Sequence, residues 1–306
     1  MSWRLHLTNQ AISQLNIIDS TPPLLATWLD RQRVLFYELQ TGTSAGEGTH
    51  TPPETNERQS DTWQVFTTNL TAPDGTYLPI LQTQKLTTYA TDDGRMRLYH
   101  TGHADLYLHT DGKEFTLDNA GASNFVAVAL DRLLGIIAAL DENGKLYVYQ
   151  QHILVGAFDM GLPLLPDLYP GVAISRGGGS LFVTDGQIII LTDSGGKIRK
   201  KINTHYLARF MSCSPDGRYL ITCDMDSGVI RVYDGQDLTL IHQRFAIDLV
   251  AEASQIQLLA DLPSDTAAIN TLTISNDGII AFSMTGIVCV TNITHMDELP
   301  RPQALL

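Results

Sequence analysis

The chain has 306 residues, with 33 Asp and Glu against 20 Lys and Arg, a formal charge of −13. An apolar fraction of 43 % and a mean hydropathy of −0.02 exclude both a disordered chain and a bundle of membrane-spanning helices. The acid excess argues against nucleic acid and anionic lipid surfaces, which reward clustered Lys and Arg, so neither nucleic-acid binding nor membrane insertion is expected.

In chain order, the first segment (MSWRLHLTNQ) lacks the apolar core and small-residue cleavage site of a secretory leader. Three cysteines, Cys213, Cys223 and Cys289, are an odd and sparse set for a disulfide framework, so a cytoplasmic chain is expected. Trp3 to Leu7 reads as a lone strand. Asp30 to Tyr37 (DRQRVLFY) then introduces a pattern of a turn followed by a short strand ending on Tyr. Thr41 to Asp61 has no apolar periodicity and is rich in Gly, Thr and Pro, which predicts a long mobile loop.

The pattern returns at Asp92 to Tyr99 (DDGRMRLY), Glu142 to Tyr149 (ENGKLYVY), Thr184 to Leu191 (TDGQIIIL), Asp226 to Tyr233 (DSGVIRVY) and Met284 to Thr291 (MTGIVCVT). Its glycines are Gly94, Gly144, Gly186, Gly228 and Gly286, in steps of 50, 42, 42 and 58 residues. Gly in such a turn supplies the positive φ of a tight hairpin, so each copy reads as the second and third strands of a unit. Upstream turns at Ile174 to Gly178, Cys213 to Gly217 and Ile274 to Gly278 leave room for one strand before each hairpin. First strands are predicted at Val126 to Leu130, Gly171 to Ile174 and Arg209 to Cys213. Fourth strands are predicted at Ala104 to Thr110, His152 to Asp159, Lys197 to Asn203 and Leu238 to Phe245. Ile247, Val250, Ala251 and Leu258 stand at helical spacing, which predicts a short rim helix within an irregular insertion, 246–268. No fourth strand follows Ile293, and Trp3 to Leu7 is available to fill that place.

Four antiparallel strands repeated every 40 to 60 residues predict an all-β chain. The expected architecture is a single β-propeller domain over residues 1–306, with six four-stranded blades closed by the N-terminal strand. The longest step leaves room for a seventh blade.

At Ser214 to Gly235 (SPDGRYLIT…DSGVIRVYDG) the chain resembles WD40-type and YVTN-like propellers. Their blades carry a Ser-Pro-Asp-Gly turn and a third strand ending in Trp-Asp or Tyr-Asp, the place taken here by Tyr233-Asp234. Elsewhere the pattern departs: Gln150 follows Tyr149, His100 follows Tyr99 and Glu38 follows Tyr37. The Gly-His dipeptide that opens such blades, a part of their Asp-His-Ser/Thr-Trp network, occurs only at Gly102-His103. The resemblance implies a rigid platform for other proteins.

Residues with chemical potential fit turns and edges better than reactions. His100, His103, Asp105 and His109 form the densest histidine cluster, a set that suits zinc. On the predicted elements His103 and His109 stand about 20 Å apart, so no shared ion is expected. Asp141-Glu142-Asn143-Gly144 and Asp224-Met225-Asp226 look like pieces of calcium loops but lack the further oxygen ligands. No nucleophile elbow, zinc-protease helix, phosphate loop or dinucleotide fingerprint occurs, and neither enzyme activity, cofactor nor metal is expected. Lys197-Ile198-Arg199-Lys200-Lys201 is the only basic run, and on an outer strand it would blunt an exposed edge. If the Ser214 to Gly217 turn sets Cys213 against Arg218, Cys223 falls opposite Ala208, too far from Cys213 for a disulfide.

In four-stranded antiparallel units the second-to-third turns and the unit-to-unit loops emerge on one face. The turns bring Asp30, Asp92, Asp93, Asp141, Glu142, Asp185, Asp224 and Asp226 there, and the loops add Asp118, Asp159, Asp248 and Glu252 among others. The expected function is a non-catalytic interaction scaffold, a subunit of a larger assembly, that docks a protein partner with a basic surface on this acidic face. Asp also suits such turns for backbone reasons alone. The rival reading is an enzyme or small-molecule binder with its site in the central channel, where the first strands are mostly apolar and only Arg209 stands out.

Overall fold

The computed structural model describes residues 2–6, 12, 14–18, 21–28, 33–49, 70–71, 77–78, 82–83, 86–90, 96–100, 105–110, 113–131, 135–162, 168–224, 226–255, 269–284 and 286–298. Among them the chain is built of short strands. In chain order they are β1 (Trp3–His6), β2 (Gln14–Ile18), β3 (Leu24–Trp28), β4 (Arg33–Glu38), β5 (Ser44–Thr49) and the pair β6 (Leu70–Thr71) and β7 (Tyr77–Leu78). There follow β8 (Gln82–Thr83), β9 (Leu86–Ala90), β10 (Met96–His100), β11 (Leu106–Thr110) and β12 (Lys113–Thr116). Next come β13 (Phe125–Leu130), β14 (Ile136–Asp141), β15 (Lys145–Gln150), β16 (Ile153–Asp159), β17 (Gly171–Ile174), β18 (Leu181–Thr184), β19 (Ile188–Thr192) and β20 (Ile198–Asn203). The chain continues through β21 (Ala208–Cys213), β22 (Tyr219–Asp224), β23 (Val229–Asp234), β24 (Leu240–Phe245), helix α1 (Ala246–Glu252) and β25 (Ser254–Gln255). The last elements are β26 (Ile269–Ile274), β27 (Ile279–Met284), β28 (Ile287–Asn292) and β29 (Asp297–Glu298).

These strands make six sheets, each with four successive antiparallel neighbours: β2 to β5, β8 to β11, β13 to β16, β17 to β20, β21 to β24, and β26 to β28 completed by β1. They are called sheets 1 to 6 below. The all-β, four-stranded repeat is consistent with a propeller. First strands stand side by side from sheet to sheet, β13 by β17, β17 by β21, β21 by β26 and β26 by β2.

Burial explains why each strand has its place. The second and third strands of sheet 3, β14 and β15, are buried on both faces apart from their terminal Lys145 and Gln150. Their near-continuous apolar runs, IIAAL and LYVY, are what a strand sandwiched between two neighbouring sheets requires. The fourth strands carry mixed residues: β20 is mostly exposed, and β16 has no buried residue. The core lies between sheets: one cluster joins Leu106, Leu108, Phe125, Ile137 and Tyr149 of sheets 2 and 3, and another joins Ile136, Val148, Leu181 and Ile190 of sheets 3 and 4.

β1 takes the fourth place in sheet 6, with Trp3 opposite Val290 and Leu5 opposite Val288. Trp3 is buried and its Nε1 donates to the Leu39 carbonyl of sheet 1, which ties the first and last sheets together. Pairing of two segments distant in the chain thus gives sheet 6 its fourth strand, and that sheet has no open edge at β28. The short rim helix is present as α1, followed by β25 running parallel to β1.

Two expectations need correction. Residues 44–49 of the predicted mobile loop 41–61 are strand β5, paired to β4 with Phe36 opposite Gly46. An outer strand needs only backbone partners and buries no stripe, so SAGEGT carries no periodic signal. Residues 50–61 lie outside the described residues, as do 256–268 of the insertion. The Cys213 register also differs: Leu220, not Arg218, is opposite Cys213, because the turn extends to Tyr219 and closes with Ser214 N–H donating to the Tyr219 carbonyl. A bulge at Arg209 then sets Cys223 against Phe210. Cys213, Cys223 and Cys289 are all free thiols. No helix among the described residues is long and apolar enough to cross a membrane.

Candidate functional site: the face of the second turns

Backbone hydrogen bonds place the hairpin turns and the following loops on one face. Met160 N–H donates to the Gly144 carbonyl at 3.1 Å, Ala208 N–H to Gly186 at 2.6 Å and Ala246 N–H to Gly228 at 3.0 Å. In sheets 3, 4 and 5, then, the glycine that ends the turn also anchors the chain as it leaves for the next sheet. Gly144 is held at a φ of 77°, and a Cβ there would lie 2.5 Å from the Leu162 carbonyl oxygen, so both conformation and space demand glycine.

The predicted acids divide by role. Asp141, with 1 % exposure, accepts from the Asn143 and Lys145 N–H groups through Oδ1, at 3.0 and 2.9 Å, and from the Tyr147 hydroxyl through Oδ2 at 3.3 Å. Asp185, also 1 % exposed, accepts from Gln187 and Ile188 N–H at 2.8 and 2.7 Å. Asp224 accepts from Asp226 N–H at 3.0 Å and from the Ser227 hydroxyl at 2.7 Å, and it faces Arg231 Nη1 at 3.4 Å. Burial alone would raise the Asp224 pKa, but these hydrogen bonds and the guanidinium outweigh it and hold the carboxyl below its ordinary range. The three carboxylates point into their own turns, where they satisfy backbone donors that the tight bend leaves unpaired.

The outward charge on this face belongs to other acids. Glu142 and Asp226 are exposed beside the turns, as are Asp118 in the loop before β13, Asp159 at the end of β16, and Asp248 and Glu252 on α1. Arg244 pairs with Glu252 and also donates to the His295 carbonyl. Asp30, Asp92 and Asp93 lie outside the described residues.

Beneath the Asp224 turn lies a polar network that no motif announced. The Tyr206 hydroxyl, from the loop before β21, contacts Thr222 Oγ1 at 2.6 Å and the Tyr233 hydroxyl at 2.7 Å. The Arg231 guanidinium stacks 3.9 Å over the Tyr206 ring and bridges to Asp224. Burial raises the pKa of both tyrosines, which therefore stay neutral and share their protons as hydrogen-bond donors. In sheet 3 the Tyr149 hydroxyl at the matching strand position donates to the Asp118 carbonyl at 2.9 Å. In sheets 3 and 5 the strand-ending tyrosines visible in the sequence thus latch the sheet to the loop that enters it.

A second feature was illegible in sequence. Three first strands bulge one residue after their start: Val126, Arg209 and Asn270 each stand unpaired between partners of the next strand. A bulge turns its side chain off the regular alternation. Val126 and Arg209 are exposed there, on the end of the first strands nearest the turn face. Among the described residues no group of three His, Cys, Asp or Glu converges as a metal site would require.

No family model matches the chain, and no curated protein does. Solved structures do. Raptor from Chaetomium thermophilum superposes with a TM-score of 0.65 at 12 % identity, covering 98 % of this chain and 29 % of its own. The computationally designed protein Ika8 superposes with a TM-score of 0.58 at 11 % identity, covering 94 % of this chain and 98 % of its own. At such identities the likeness is one of fold, and a fold hosts many functions. The chain spans less than a third of the length of Raptor.

Proposed function

We propose that this chain is a six-bladed, WD40-like β-propeller that works in the cytoplasm as a non-catalytic docking platform, a subunit of an assembly. Its partner is a protein with a basic surface, received on the face of the second turns. The observation that carries the reading is the division among the acids. Asp141, Asp185 and Asp224 hold the turns rigid, while Glu142, Asp226 and Asp248 stand exposed on the same face with no basic partner among the described residues. A rigid surface with unneutralised charge steers a complementary protein at little ordering cost. The Tyr206–Thr222–Tyr233 network with Asp224 supports the WD40-like assignment, since it links loop, second strand and third strand as the Asp-His-Ser/Thr-Trp set does, with tyrosines for His and Trp. The Raptor likeness supports the fold on which this reading rests.

The test is a triple reversal, Glu142→Lys, Asp226→Lys and Asp248→Lys, with the proteins captured from native lysate identified and quantified over a salt series. Loss of specific captured proteins, matched by their release from the native chain as salt rises, is expected. Unchanged capture overturns the acidic-face reading.

One observation favours a second reading, a small molecule held where the first strands meet: the bulges that re-aim Arg209 and Asn270. A carboxylate or phosphate compound that raises the melting temperature of the native chain, but not of Arg209→Ala, would support it.

A further inference from the structure

We infer a second docking surface, separate from the acidic face and of opposite charge: the outer edge of β20, which accepts an acidic extended segment of a partner protein as a fifth strand. Sheets 2, 5 and 6 each carry such a strand outside their fourth: β12 beside β11, β29 beside β24 and β25 beside β1. The strand on sheet 5 is Asp297-Glu298, set antiparallel against Gln243 and His242. The chain thus already lays an acidic strand on the edge of the sheet next to sheet 4. Sheet 4 ends on β20, so among the described residues the outward N–H and C=O groups of β20 have no strand partner.

That edge carries the chain's only basic run. Lys197, Ile198, Arg199, Lys200 and Lys201 are all exposed, Ile198 to 43 %. Arg199 reaches Asp193 only at 3.8 Å, Lys201 donates to the Gly161 carbonyl at 3.1 Å, and Lys197 and Lys200 make no ion pair among the described residues. The cations lie on both faces of the strand. Lys200 shares a face with Ile202, which packs toward sheet 5, whereas Lys201 reaches the loop that follows sheet 3. A strand added in register therefore meets positive charge whichever way its side chains point, and acidic residues on both faces answer it.

Lysines on an edge repel a second copy of the same edge, and that repulsion selects a strand of opposite charge. A row of open backbone donors and acceptors is matched by another peptide strand and by nothing in a lipid surface or a nucleic acid. No exposed aromatic lies in the run to stack a base.

The probe is a short peptide alternating Glu and Val, titrated against the full chain, with backbone amide exchange followed on β20. Saturable binding with slowed exchange at β20 is expected, and Lys197→Glu with Lys200→Glu should weaken it roughly tenfold. Lys197→Gln with Lys200→Gln, which only removes charge, should lie between. A peptide of the same sequence methylated at every backbone nitrogen should fail to bind, because it has no N–H to donate and its methyl groups keep the two strands apart. The inference is overturned if the N-methylated peptide binds equally well, if β20 exchange does not slow, or if phosphatidylserine vesicles or oligothymidine bind at these lysines while the Glu-Val peptide does not. Reversal of Glu142, Asp226 and Asp248 should leave the peptide affinity unchanged, which separates this surface from the acidic face.

Discussion

Asp224 shows how one carboxylate can serve the fold while seeming to serve the surface. It accepts from two backbone N–H groups and a hydroxyl and sits against Arg231. Hydrogen bonds to a charged acceptor are worth about 1.5–3 kcal/mol, so Asp224→Ala should cost about 2 kcal/mol in denaturant unfolding. Because its native pKa is lowered, its charge-linked stability is complete above the ordinary carboxylate value and is lost as pH falls through the lowered one. Asp224→Asn should therefore flatten the acid limb of the stability profile, and an unchanged slope would refute the assignment. Gly144→Ala should cost about 1–3 kcal/mol, from the positive φ and the Leu162 carbonyl together. The Cys213 and Cys223 thiols are pushed up to about 12 by burial and the neighbouring Asp216 and Asp224 carboxylates, and burial drives Cys289 up as well. They remain protonated at neutral pH, so alkylation of the native chain should be slow and should accelerate on unfolding.

At the scale of the element, β1 is the informative strand. The sequence reads Trp3 to Leu7 as a strand, of which Trp3–His6 is β1, and the lack of a fourth strand after Ile293 points to its place. Trp3 and Leu5 fill the core between sheets 6 and 1, together with Tyr37, Leu39 and Val288. Trp3→Ala removes a buried aromatic and its hydrogen bond to Leu39 and should cost about 3–5 kcal/mol, read as a fall in denaturation midpoint. The same scale shows why β5 was unreadable. Third strands such as LYVY announce themselves through burial on both faces, whereas SAGEGT is held by its backbone and has no side-chain pattern to read.

For the whole molecule, the acidic face and the basic edge of β20 give a chain of charge −13 two surfaces of opposite sign. Exposed surface substitutions usually change stability by within about 0.5 kcal/mol, so the Glu142, Asp226 and Asp248 reversals should leave melting nearly unaltered. Reversal at Asp141 or Asp185 should unfold the turn it closes. Thermal denaturation of the two sets distinguishes charge that is presented from charge that is used internally.

From the sequence by itself follow the all-β class, the spacing of the repeats, the strands of sheets 3 to 5 and the turns that separate them, because Gly, Asp and two-sided apolar runs are local responses to local backbone needs. The family of turn acids was legible as well. Which of those acids faces water was not, since an Asp that caps its own turn and one that points outward occupy the same kind of sequence position. Only the tertiary structure separates Asp141 from Glu142, joins Tyr206 to Tyr233 and brings β1 to β28. Each of these depends on contacts between segments far apart in the chain, and no local pattern of residues encodes such a distance.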